Sequence, residues 1–279
     1  AVVLDNTISN SFEASYDLSD LVEGFDMVVG GSFREYVLRS EGTLFTDYDG
    51  PIKTNETGIF ASVQKDIFDG VVSLNGALRY DKAQNYDGSF TPRVGALIDI
   101  APNHNLRVSY QTAMRTPTMQ DMYIGLDGGP AILMGSSPDS VERFYYDFPD
   151  LASGNTYTVT GDMVMNNGII YQDFLAGTLT PGNLKPVEPQ HVISREFGYR
   201  LNGMKVSIDL AAHWSTFNNF IASKQVVVPY YGSISDGSAL AAFANNDFRI
   251  FSVDNKTEEV VTKLDDVITI FSQSTLSLL

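Results

Sequence analysis

Apolar and polar residues alternate along most of this chain. From Val71 to Asp81, Val72, Leu74, Leu78 and Tyr80 interleave with Ser73, Asn75, Arg79 and Asp81. From Ser89 onward one face carries Phe90, Val94, Ala96, Ile98 and Ile100, and the other Thr91, Arg93 and Asp99. Leu106, Val108, Tyr110 and Met114 then alternate with Asn105, Arg107, Ser109, Gln111 and Arg115. Further on, Met204, Val206, Ile208, Leu210, Ala212 and Trp214 alternate with Lys205, Ser207, Asp209 and His213. A period of two marks a strand with two unlike faces, whereas an amphipathic helix sets apolar residues three and four apart. Weaker alternation covers 7–18, 24–39, 56–66, 191–201 and 245–253. With 258–270 added, the pattern predicts about ten strands and almost no helix.

The connections between these strands follow a rhythm. In order they are 19–23, 40–55, 67–69, 82–88, 101–103, 116–190, 202–203 and 218–244. The odd-numbered ones have five residues or fewer; the even-numbered ones have seven or more. In an up-and-down arrangement this puts every long connection at one end, the pattern of an outer-membrane barrel with short periplasmic turns and long extracellular loops. Aromatic residues on the apolar faces, Tyr16, Tyr80, Phe90, Tyr110, Tyr199 and Trp214, fit the rings that border the hydrocarbon layer. The opposite faces hold Arg79, Asp81, Arg93, Arg107, Arg115 and Glu196, suited to a wet or protein-filled lumen. The alternation predicts an all-β fold: an antiparallel up-and-down transmembrane β-barrel portion, with Leu74, Leu78, Ile98, Val108, Ile208 and Leu210 facing lipid.

Composition narrows the alternatives. No apolar run approaches the roughly 18 to 20 residues of a spanning helix, but barrel strands need only about 9–11 and show half their side chains to water. Eighteen Lys and Arg against 34 Asp and Glu give a net charge of −16, which makes nucleic acid an improbable partner. There are no cysteines. A Gly-x-Ser-x-Gly elbow, a phosphate loop and a His-Glu-x-x-His motif are all lacking, and His104, His191 and His213 have no ligand spacing. Asp47-Tyr48-Asp49-Gly50 lacks the remaining ligands of a calcium loop and fits turn chemistry better. Neither an enzyme nor a cofactor is indicated.

Certain stretches carry a family likeness. Phe90-Thr91-Pro92-Arg93-Val94-Gly95, Asn105-Leu106-Arg107-Val108-Ser109-Tyr110 and Arg115-Thr116-Pro117 resemble barrel strands of TonB-dependent receptors. Asn183-Leu184-Lys185-Pro186 with Glu188, followed by Glu196-Phe197-Gly198-Tyr199, is similar to the family's re-entry into the barrel after a large loop. Gly42-Thr43-Leu44-Phe45 with Asp49-Gly50-Pro51-Ile52 looks like receptors of Bacteroidetes-type bacteria. Met114 stands where the family usually has an aromatic, and Val187 separates Pro186 from Glu188.

The resemblance implies a barrel of about 22 strands around a plug, of which residues 1–263 would be an internal portion. A plug and a segment contacting the TonB complex would then lie outside this chain. It also implies outer-membrane lipid around the wall and an extracellular small-molecule or oligosaccharide ligand, taken up with TonB-coupled energy. The tail, 264–279, departs from the family pattern and resembles a truncation scar. The rival reading is a soluble extracellular β-rich carbohydrate-binding module.

The 116–190 loop is the place to look for capture. It gathers nine acidic residues, among them Asp127, Asp139 and Asp147, with Tyr123, Phe144, Tyr145, Tyr146, Phe148, Tyr157, Tyr171 and Phe174. Rings beside carboxylates suit neutral sugars or cations better than an anionic chelate. Arg143, Tyr145 and Tyr146 are the first candidates, since a cation beside two rings can both stack and hydrogen-bond. Thr116-Pro117 predicts a short helix at the loop's opening, and Pro102 a tight turn.

Overall fold

The computed structural model describes residues 3–149, 154–203, 206–257 and 261–272. Met204, Lys205 and the end of the expected tail, 273–279, lie outside them. In chain order the first strands are β1 (Ile8–Asp17), β2 (Asp26–Leu38), β3 (Ile52–Ile67), β4 (Val72–Ala83), β5 (Tyr86–Ala101) and β6 (His104–Arg115). Residues 116–189 then hold short elements: α1 (Met119–Tyr123), β7 (Gly125–Asp127), β8 (Ile132–Met134), α2 (Pro138–Arg143), β9 (Tyr145–Pro149), β10 (Thr156–Thr160), α3 (Gly161–Asn167), β11 (Ile169–Ile170) and α4 (Tyr171–Leu175). Two long strands follow, β12 (Gln190–Asn202) and β13 (Val206–Asn218). The chain continues through β14 (Ile221–Pro229), α5 (Leu240–Ala244), β15 (Phe248–Lys256) and β16 (Val261–Ser272).

Nine strands form one antiparallel sheet in the order β1-β2-β3-β4-β5-β6-β12-β13-β16. Its edges are β1 and β16, which do not pair with each other among the described residues. Residues 264–272 of the expected tail continue this sheet as part of β16, in register with β13 from Val206↔Ser272 to Phe217↔Val261.

Register shows how alternation becomes a wall. Residues opposed across an antiparallel pair share a face. Val94 opposes Tyr110, Tyr110 opposes Arg195, and Arg195 opposes Trp214. One row below, Ala96, Val108, Phe197 and Ala212 align. These rows and the next, Leu106–Tyr199–Leu210, form the apolar face. Its large side chains stand exposed: Phe12 at 68%, Phe90 at 63%, Phe197 at 55%. A face of this kind without protein cover is what hydrocarbon solvates.

The opposite face is ionic. Arg107 Nε donates to Glu196 Oε1 at 2.6 Å and Nη1 to Asp209 Oδ1 at 3.0 Å, while Arg200 approaches Asp209 at 3.3 Å. Arg79 pairs with Asp81 at 2.6 Å. Two glycines make room for these long side chains. A Cβ at Gly198 would stand 2.5 Å from Arg107 Nε, and one at Gly58 2.5 Å from Arg79 Nη2.

The structure corrects four expectations. Residues 245–253 are not a wall strand: β15 pairs with β14 and β8 in a separate sheet. Residues 221–229, expected as loop, are β14. The connection 82–88 is a two-residue turn, Gln84-Asn85, because β4 and β5 continue beyond their apolar stretches, where both faces are polar. The β1–β2 turn spans 18–25, longer than expected. The long connections 39–51, 116–189 and 219–260 still share one end, as antiparallel order requires.

Ile208 faces outward, between Tyr199–Leu210 and the turn end. Ile208→Arg is expected to cost on the order of 2–4 kcal/mol in membrane assembly. Asp209→Asn gives up part of a half-exposed ion-pair network and should cost less than about 1 kcal/mol. Folded yield in liposomes checks both; equal yields would contradict the facing.

Candidate functional site

The three long connections fold together into one module above the wall. Its centre is a five-stranded sheet ordered β11-β14-β15-β8-β7, to which 116–189 and 219–260 both contribute. Val226, Val227 and Val228 of β14 are all fully buried, as a strand covered on both faces demands. Ile132, Met134, Phe144, Val159, Val164, Phe251 and Val253 form a core with Val226 and Val228. A second cluster, Leu38, Leu44, Phe45, Ile52, Met122, Tyr123 and Val187, joins the 39–51 connection to the others.

Capping chemistry sets the short helices. Thr118 is the N-cap of α1, with reciprocal bonds between Thr118 and Asp121, so the helix opens two residues later than Thr116-Pro117 suggests. Ser137 caps α2 with Pro138 in its first turn. The Asp47 carboxylate is buried and accepts from Ser40 N and Ser40 Oγ at 2.5 Å, Gly42 N at 2.9 Å and Glu41 N at 3.1 Å. That turn role fills the acidic stretch at 47–50. Among the described residues, no three His, Asp or Glu side chains are grouped to hold a metal.

The three candidates from the sequence part company here. Arg143 Nε donates to Asp139 Oδ1 at 2.8 Å, closing an ion pair one helical turn apart. Tyr145 and Tyr146 are neighbours on β9, so their rings leave on opposite sides. Tyr145 packs on Tyr48, centroids 4.9 Å apart. Tyr146 donates to Asp127 Oδ2 at 2.7 Å and packs on Phe148 at 4.8 Å. The expected arrangement of one cation beside both rings is absent.

Tyr146 instead begins a ladder of rings. Phe148 stacks on Tyr230 at 4.5 Å and 17°, Tyr230 lies 5.8 Å from Tyr157, and Tyr157 lies 5.3 Å from Tyr231. All five are partly exposed. Carboxylates border them: Asp127 takes Tyr146 and Arg249, and Asp247 accepts from Tyr231 Oη at 2.8 Å. Burial works against ionised Asp127, yet the bonds from Tyr146, Gly129 and Arg249 hold its carboxyl below the usual range. Tyr230 and Tyr231 escaped the sequence reading because they follow the Val226–Val228 run, inside a connection treated as loop. That run was the available signal.

Deeper in the module, Tyr123 is fully buried. It accepts from Asn85 Nδ2 at 2.7 Å and donates to Asp139 Oδ2 at 3.2 Å, and burial pushes its hydroxyl up to about 12. This ties the β4–β5 turn to α2. Asp254 on β15 is also half-buried, and burial, then Asp121, pushes its carboxyl up to about 6.

With a lipid-type outer face, an ionic inner face and the long loops at one end, the wall has the layout of an outer-membrane barrel portion. The sequence matches the family described as TonB dependent receptor-like, beta-barrel, over residues 3–256. The chain belongs to that family. TonB-dependent receptors are bacterial outer-membrane transporters, not enzymes, so the apolar face of this wall belongs in the outer membrane and the soluble-module reading falls. No curated protein matches the sequence.

Solved structures share the fold at low identity. The siderophore receptor PirA from Pseudomonas aeruginosa aligns with a TM-score of 0.52 and 12% identity, over 93% of this chain and 38% of that one. PirA from Acinetobacter baumannii gives 0.52 and 11%, over 94% and 34%. The ferric enterobactin receptor PfeA from Pseudomonas aeruginosa, in complex with enterobactin, gives 0.52 and 12%, over 93% and 33%. The chain thus spans about a third of the length of these structures. They lend no support to the Bacteroidetes-type likeness of Gly42–Ile52.

Two outcomes follow from the buried carboxylates. Asp47→Asn replaces an acceptor of four bonds and is expected to cost about 2 kcal/mol, seen as faster hydrogen exchange over 39–51 with the wall unchanged. The folded pKa of Asp254 exceeds its ordinary 3.8, so its contribution is present below about pH 4 and lost as pH rises through about 6. For a half-exposed group the effect is on the order of 1 kcal/mol. Exchange over β15 should quicken across that window, and Asp254→Asn should abolish the dependence.

Proposed function

We propose that this chain is wall and capture surface of a receptor for energy-coupled uptake of a scarce nutrient, with the loop module outside the cell. The observation that carries the reading is the ladder Tyr146–Phe148–Tyr230–Tyr157–Tyr231 on the module at the long-loop end of the wall. Partly exposed stacked rings offer flat apolar faces, and a small solute presenting rings of its own gains by lying on them. Asp127 and Asp247 beside the ladder, with a net charge of −16, favour a neutral or cationic ligand over a polyanionic one.

The names of PirA and PfeA support a siderophore as the ligand class, and the acidic border narrows this to one whose ferric complex is not strongly negative. A neutral oligosaccharide meets the same surface chemistry. Of the sequence candidates, Tyr146 joins the ladder. Tyr145 with Tyr48 makes a second ring pair across β9, and Arg143 acts through Asp139. Transport would use a plug and a TonB-contacting segment, with solute passing along the ionic inner face.

Deleting 130–175 is a poor test, because it removes Ile132, Met134, Phe144, Val159 and Val164 from the module's core. Point changes on the ladder are cleaner. Tyr157→Ala and Tyr231→Ala, made in the full receptor, should each weaken uptake by about 1 kcal/mol, near fivefold in half-saturation, at unchanged maximal rate and unchanged surface expression. Protease added to whole cells should cut within the module. Unaltered half-saturation in both variants would refute capture by the ladder, and cleavage only in permeabilised cells would refute the orientation.

A further inference from the structure

Arg195 is a cation on a face that otherwise meets hydrocarbon; Lys65 also faces outward, opposite Leu74, but it donates to Gly24 O at 3.1 Å in the β1–β2 turn. Arg195 opposes Tyr110 on β6 and Trp214 on β13, so it points outward with them. Its guanidinium carbon is 5.6 Å from the Tyr110 ring centroid and 5.4 Å from that of Trp214. Among the described residues no carboxylate is within ion-pair distance of it; neighbouring Glu196 faces the other way, bound to Arg107.

The level of Arg195 in the wall is marked from both sides. Toward the turns the outward side chains are apolar without break through Phe197, Ala212, Leu210 and Ile208. Ile67, Val72 and Ile98, aligned across β3, β4 and β5, continue the apolar positions toward the turn end. Toward the loops, polar side chains enter the next outward rows, with Thr112 and Thr216 flanking Ile193, then His191 between Met114 and Asn218. Arg195 therefore stands at the upper border of the apolar band, where headgroups begin. Below it the same face is hollowed. A cavity of about 640 Å³ opens along Leu74, Val94, Ala96, Val108, Phe197 and Ala212, with Arg195, Tyr110 and Trp214 at its mouth. The small side chains Ala96 and Ala212 between bulky neighbours make the hollow.

We propose that this is a binding site for a membrane lipid with a headgroup phosphate. Arg195 donates to the phosphate, and one acyl chain lies in the groove beneath. The charge assigns the occupant: an outward guanidinium with no protein anion, between two ring faces and over an acyl-sized apolar trough, complements an anionic amphiphile. A guanidinium binds phosphate through two parallel N–H donors, and the flanking rings keep its plane in place. The chain as a whole is strongly acidic, so general attraction between protein and anionic lipid does not account for the site. It is independent of the ligand-capture reading, being on the opposite side of the wall from the lumen.

Trp214 is the only tryptophan in this chain and reports on the site directly. The full receptor is reconstituted in phosphatidylcholine vesicles in which either the phosphatidylcholine or an added phosphatidic acid carries brominated acyl chains. Quenching of Trp214 is isolated by subtracting the Trp214→Phe receptor. The wild type should be quenched with about fivefold preference for the acidic lipid. Arg195→Gln should reduce that preference to near one, while Arg195→Lys, which keeps the charge without the fork, retains part of it. Circular dichroism and heat resistance of each variant identify one that has failed to fold, and the lysine variant then carries the test. Equal quenching by the two lipids in the wild type would overturn the proposal. So would a preference unchanged in Arg195→Gln, or one abolished by millimolar inorganic phosphate, which would make the ligand a soluble anion.

Discussion

The structure rests on one requirement: in hydrocarbon, every backbone N–H and C=O must find its partner in the protein. An antiparallel ladder does this only while register is kept, and a slip of one residue would turn each side chain to the opposite face. The register from β1 to β16, broken only by shifts beside the β4–β5 and β5–β6 turns, therefore fixes two things together, the hydrogen bonding of the wall and the sorting of its faces. The outward rows and the inward arginine network are consequences of the same ladder. Gly58 and Gly198 belong to that arrangement, since the guanidinium groups of Arg79 and Arg107 lie across the strands where a Cβ would stand.

The wall was legible because each strand divides two unlike solvents, and period-two alternation records that division residue by residue. It supplied eight of the wall strands closely and included the ninth, 258–270, with the family likeness at Phe90–Gly95 and Glu196–Tyr199 agreeing. The signal failed where the environment is no longer two-sided. Lys82 to Ser89 extend β4 and β5 beyond the band, where both faces are polar and a strand resembles a loop. Val226–Val228 is buried on both faces, so it shows a run instead of alternation. Residues 245–253 do alternate, but against a core within the loop module, and periodicity alone does not distinguish that core from lipid.

The candidate site was legible only in composition. The sequence placed acidic and aromatic residues in 116–190 and singled out Arg143, Tyr145 and Tyr146. Partnership is a tertiary property, and three facts decided it. Asp139 lies one helical turn before Arg143; β9 sends adjacent tyrosines to opposite sides; and Tyr230 and Tyr231 arrive from a different connection to complete the ladder. The last of these depends on β15 pairing with β14 and also with β8, which ends more than a hundred residues before β15 begins.

That shared sheet changes what a surface loop is in this protein. Because β8 lies parallel to β15 and β11 pairs with β14, the connection between β6 and β12 is stitched to the one between β13 and β16. During synthesis the first of these has no finished core until Phe251 and Val253 have followed it, so the module closes late, after the hairpins beneath have begun to zip. The same stitching couples variation. Neither connection can be exchanged for a relative's without leaving half a sheet unpaired, and a change of ligand must come through exposed side chains such as the ladder rings, or through replacement of the whole module at once.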